Sequence, residues 1–104
     1  MTLRMASATT IILRIEGCNK QPNDQLEQVA DPDLGIWVKD IDILPYQQDD
    51  VIEYLKEIVI LASKIDCGNK YIHINLTESV GSFRLSPHIL KSISDADCIL
   101  EIEL

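Results

Sequence analysis

The chain has 104 residues, enough for one domain with a real core and too few for two, and that core is aliphatic, with 16 Ile and 12 Leu against 5 aromatic residues. A formal net charge of −8 argues against nucleic acid and anionic membranes as partners, because a phosphate-binding surface must be positive to gain from counterion release. Met1–Thr10 has no apolar run of signal-peptide length and no stretch reaches the roughly 18 apolar residues of a membrane span, so a cytoplasmic protein is expected.

Residues 1–8 read as a loose leader to a single domain covering 1–104. Thr9–Glu16 alternates, with Ile11, Leu13 and Ile15 on one face and Ile12, Arg14 and Glu16 on the other, the pattern of a half-buried strand ending at Gly17. Pro22 suits the first turn of a short helix in which Leu26, Val29 and Ala30 share a face, stopped by Asp31-Pro32. Leu34–Lys39 reads as a strand with Trp37 opposite to Ile36 and Val38, and Trp37 is assigned to the core. Asp40–Leu44 alternates again, as one bent strand with the preceding run or as an edge extension, before Pro45 interrupts.

The longest periodic stretch, Asp49–Gly68, predicts a helix whose core face holds Val51, Leu55, Ile58, Ala62 and Ile65. Asp50 and Glu53 have capping-box spacing, and Gly68 offers a left-handed stop. Ile60 falls in the middle of the polar face, out of pattern. Tyr71–Glu78 alternates with Ile72, Ile74 and Leu76 inward. After a loop at 79–82, Ser86 as N-cap and Pro87 at the first helical position start a short helix with Ile89, Leu90 and Ile93 on its apolar face. Asp97–Leu104 closes the chain as a strand, with Cys98, Leu100, Ile102 and Leu104 on one side. The expected fold is α+β: a single, mostly antiparallel sheet of four to five strands, with one long and two short helices packed on one face and the other face partly wet.

The closing stretch GSFRLSPHILKSISDADCILEIEL, through Gly81, Leu85, Ser86, Pro87, Leu90 and the ILEIEL strand, resembles the end of an uncharacterised bacterial family, domain of unknown function number four-two-seven-nine. LRIEGCNKQPNDQLEQ and IWV resemble that family's first strand and helix and its tryptophan strand. The connection leading into Trp37 departs from it, being compressed and without the family's basic, glycine-containing run. The matching motifs are structural. Some relatives accompany polymorphic toxins, and the resemblance therefore implies an immunity protein.

Chemistry is sparse. His73 and His88 have no Cys, Asp or Glu at ligand spacing, Ser86 is explained by capping, and no phosphate loop or nucleophile motif occurs, so no catalytic residue, metal or cofactor is expected. Cys18, Cys67 and Cys98 are distant and odd in number, which favours reduced, packed thiols. Carboxylates are concentrated: residues 31–57 carry −6 of the net −8. The bland explanation is a charged, solvated edge. The functional one is a docking surface for a basic protein, with Asp40, Asp42, Asp49, Asp50, Glu53 and Glu57 steering the encounter and Ile60 as an apolar anchor. The expected function is that of a non-enzymatic immunity protein neutralising a basic toxin domain. The alternative is a small ligand-binding or regulatory domain with a pocket between the sheet and the long helix.

Overall fold

Strand β1 (Thr9–Glu16) is the middle of the molecule in both sequence logic and space. Its alternation translates directly into burial: Ile11, Leu13 and Ile15 are fully buried, while Ile12, Arg14 and Glu16 are half-exposed. In this computed structural model, residues 9–29, 35–43, 50–76 and 84–103 are described. The elements that follow are β2 (Glu27–Gln28), β3 (Ile36–Ile43), α1 (Val51–Ser63), β4 (Asn69–Leu76), α2 (Pro87–Asp95) and β5 (Cys98–Glu103). They form one five-stranded sheet in the order β2-β3-β1-β4-β5. β1 runs antiparallel to both β3 and β4, β2 is antiparallel to β3, and β4 and β5 are parallel, joined through α2.

The fold is α+β with a single, mostly antiparallel sheet, as expected, but with two helices rather than three among the described residues. The helix anticipated from Pro22 does not form. The Asn23 side chain accepts from Gln25 N at 2.9 Å and Leu26 N bonds to Asn23 O at 3.1 Å, which makes a turn. Glu27 and Gln28 then pair with Val38 and Trp37, and Val29 N bonds Ile36 O at 3.0 Å. Backbone groups that a helix would satisfy internally are satisfied sideways by β3, and Leu26 is buried while Val29 is exposed. Ala30 and Asp31-Pro32 lie outside the described residues, as do Leu34, Leu44, Pro45, Asp49, Phe83, Gly81, Leu104, the 1–8 leader and the 79–82 loop.

The two runs around Trp37 and Asp40 are one continuous strand, paired with β1 from Glu16↔Ile36 to Thr9↔Ile43. α1 keeps the anticipated core face, with Val51, Leu55, Ile58 and Ala62 buried, yet it ends at Ser63. Asp50 is the N-cap without a side-chain capping bond, and Glu53 pairs with Lys56 at 3.3 Å instead of closing a capping box. The C-terminal carbonyls are met by Lys70 of β4, whose Nζ donates to Ala62 O at 3.0 Å and Ile65 O at 2.9 Å. α2 starts as read: Ser86 Oγ accepts from Ile89 N at 3.2 Å with Pro87 following. Leu90, expected on its apolar face, is exposed, and so is Ile102 of β5. Both belong to the outermost βα unit, where the sheet ends and nothing among the described residues packs beyond them. Both helices contribute to one aliphatic cluster over β1 and β4, where each fully buried Ile or Leu contributes roughly 1.5–3 kcal/mol.

At one end of the sheet the chain is tied together. Cys18 and Cys67 form a disulfide with a Cα–Cα separation of 5.7 Å, which overturns the expectation of reduced thiols. Sequence distance concealed the pair: Cys18 leaves β1 where Cys67 approaches β4, and these two strands are neighbours. Trp37 lies in the core, and its Nε1 donates to Cys18 O at 3.0 Å. Gly17 N and Cys18 N both donate to Gly35 O, at 3.0 and 3.1 Å. Gly68 has φ +71, and a Cβ there would collide with Glu16 O and sit 3.0 Å from Cys18 Sγ. Its role is close passage of the chain beside β1 rather than the helix stop that the sequence suggested.

Candidate functional site

Pairing registers decide what the second face of the sheet displays. Residues paired in register share a face, so the half-exposed side of β1 extends across the sheet in rows. Asp42, Thr10, Asn75 and Glu103 form one row. Asp40, Ile12, His73 and Glu101 form the next, and Val38, Arg14, Tyr71 and Ile99 the third, with Glu27 beyond Val38. The helices pack on the opposite side, so this face has no helical cover among the described residues.

The face is acidic and internally braced. Glu16, Glu27, Asp40, Asp42, Glu101 and Glu103 oppose Arg14, the one Lys or Arg on it among the described residues. Arg14 is held in place by Glu101 at 3.3 Å and Glu16 at 3.5 Å, and its guanidinium lies 4.5 Å from the centre of the Tyr71 ring. His73 sits between two carboxylates, with Nε2 donating to Glu103 at 3.0 Å and Nδ1 3.7 Å from Glu101. Thr10 donates to Asp42 at 3.0 Å. The carboxylates of these pairs are more than a third exposed, and water screens them, so each pair contributes at most about 1 kcal/mol. Their effect is on geometry: the single guanidinium is already matched by carboxylates, and the surplus charge of the face stays negative.

The residues expected to dock a partner are divided by this architecture. Asp40 and Asp42 stand on the open sheet face, whereas Asp50 precedes α1 as its N-cap and Glu53, Glu57 and Ile60 belong to α1, on the other side of the sheet. Asp49 lies outside the described residues. On α1 the acidic character is diluted, because Lys56 pairs with Glu53 and Lys64 shares the exposed surface. Ile60 is 56 % exposed, as its place in the helical pattern implies. Glu16, Glu27, Glu101 and Glu103 are not part of the cluster that charge along the chain picks out, though alternation places Glu16, Glu101 and Glu103 opposite the core residues. Only the strand order shows that they assemble beside Asp40 and Asp42.

Among the described residues, Leu55, Ile58, Ile11, Leu13 and Ile72 fill the layer between the sheet and α1 at 0–1 % exposure. The clefts sit on the helical surface instead. One of ≈ 190 Å³ between the helices is lined by Lys56, Val59, Ile60, His88, Ile89 and Ser92. Another of ≈ 250 Å³ where α1 and α2 end is polar, with Asp66, Lys70, Asp95 and Asp97 in its wall. A third of ≈ 270 Å³ runs along Gln25, Glu57, Ile60, Leu61 and Lys64. All are smaller than the roughly 300–1,000 Å³ of typical ligand sites. No group of three potential metal ligands occurs among the described residues, and no described helix is long and apolar enough to cross a membrane. Cys98 is the free thiol; burial pushes it above its ordinary value, opposed by Lys70 and assisted by Asp97.

No family model, curated protein or solved structure matches this chain.

Proposed function

We propose that the chain is a non-enzymatic binding module that docks a basic protein on its open sheet face, in the immunity role that its closing motifs imply. The observation supporting this reading is the assembly of six carboxylates from four strands around one matched guanidinium, on a face without helical cover among the described residues. Opposite potentials accelerate encounter, and the flat apolar ground of Ile12, Val38 and Tyr71 gives a bound partner surface to bury. A toxin domain held there is neutralised by having its basic substrate groove covered. The compartment belongs to the proposal as well. A bond such as Cys18–Cys67 persists in oxidising surroundings and is rare in the cytosol, so we place the protein on the oxidising side instead of the cytoplasm expected from the lack of an apolar run in Met1–Thr10.

Association kinetics with the protein encoded immediately upstream test the docking reading. The on-rate should fall by about tenfold or more from low to high salt, and further on joint Asp40→Lys and Asp42→Lys substitution. Charge reversal at Glu53 and Glu57 on α1 should leave it nearly unchanged. An association indifferent to salt, or one lost only through the α1 reversals, would sink this assignment of the face.

A further inference from the structure

We infer that the free edge of β5 receives an extended strand of the basic partner, one whose residues alternate between basic and apolar; this rests on the docking function proposed above. The two ends of the sheet are unequal. On one side it is closed by β2, a strand of two residues, and on the other it ends in the six residues of β5. β5 bonds β4 along one side, and among the described residues no strand meets its other side, which therefore presents unpaired backbone donors and acceptors. Ile99 and Ile102 stand 54 % and 48 % exposed on opposite faces of this edge strand.

Charge identifies the occupant. Glu101 and Glu103 end the rows of the acidic face at this edge, so a strand added here sets its side chains against them on that face and against Leu100 and Ile102 on the other. A segment with Lys or Arg at every second position and apolar residues between satisfies both sides at once. A second copy of this chain does not. An antiparallel pairing of two β5 strands centred on Glu101 sets that residue against its own copy, and one centred on Ile102 sets Glu101 against Glu103. Centring on Leu100 brings Glu103 to the Asp97 end of the copy. Carboxylates directly opposed across strands are destabilising, so the edge repels itself while remaining open to a basic strand.

The probe is a short synthetic peptide alternating lysine and valine, added to the isotope-labelled full chain and followed by NMR and amide exchange. Slower exchange is expected at those amides of Cys98–Glu103 that do not bond β4. The affinity should weaken several-fold with Glu103→Lys, an exposed position whose change leaves the core intact. A peptide with proline replacing its central valine should not bind, because the added strand relies on main-chain bonds. Equal binding of the proline peptide overturns strand addition. Shifts confined to Thr10, Asp40 and Asp42 overturn the edge assignment and leave docking on the open face standing. No shift anywhere under peptide excess overturns the inference and also removes the support that charge gives to the docking reading.

Discussion

Reduction of the Cys18–Cys67 bond should destabilise the fold by an amount that follows from its sequence separation of 49 residues. Closing a loop of that size lowers the entropy of the unfolded chain by about 14 cal/mol/K, or about 4 kcal/mol near room temperature, on the chain-entropy account. Folded domains have only about 5–15 kcal/mol in hand, so the loss is a large part of the total. Urea denaturation followed by circular dichroism, with and without a phosphine reductant, measures it. With a slope of about 1–2 kcal/mol/M the midpoint should move down by about 2–4 M, and the slope should rise because the reduced chain unfolds more fully. Reduction is preferable to substitution because every buried sulfur stays in place. Peptide mapping of the untreated protein should join Cys18 to Cys67 and leave Cys98 alkylatable. An unchanged midpoint, with alkylation after unfolding proving both thiols reduced, refutes the entropic argument.

Gly68→Ala should cost more than about 2 kcal/mol. The residue would have to hold φ +71, where an L side chain loses about 1–2 kcal/mol, while its Cβ pushes on the backbone carbonyl of Glu16. Thermal unfolding should therefore fall by about 8 °C or more, and a variant melting with the parent would contradict the close passage beside β1. The Cys98 thiol should alkylate more slowly in the folded chain than in the unfolded one at mildly alkaline pH. Burial raises its pKa, which leaves less thiolate, and the gap should close as pH climbs through the raised value. By linkage, the stability contribution of this thiol is fully present below its unfolded pKa and is lost as pH rises through the folded one. Equal alkylation rates across that range would show the site to be solvated.

Local signals decided much of the fold. Period-two alternation over Thr9–Glu16 and Tyr71–Leu76, and the Ser86-Pro87 start, survive because those segments bury one face and nothing nearby competes for their backbone bonds. Pro22–Val29 failed for the opposite reason: β3 was available to take its backbone groups, a fact recorded nowhere in the local pattern. Gly68 does take the left-handed conformation expected of it, but five residues past the end of α1, and nothing in the local pattern says that Glu16 and Cys18 lie against it. The acidic site shows the same limit. Counting charge along the chain grouped Asp40 with Glu53, whereas the sheet separates them and groups Asp40 with Glu101, about sixty residues away. Strand order is set by long-range packing, and a surface assembled from several strands can be read only once that order is known.

The disulfide also changes what it means to cut this molecule. Between Cys18 and Cys67 the oxidised chain is a covalent ring holding β2, β3 and α1, with β1 on one tail and β4, α2 and β5 on the other. Backbone cleavage anywhere inside the ring leaves a single covalent piece, and both tails still flank each other through the pairing of β1 with β4. A protease nick there is silent until a reductant arrives, and only then do the fragments become free to separate.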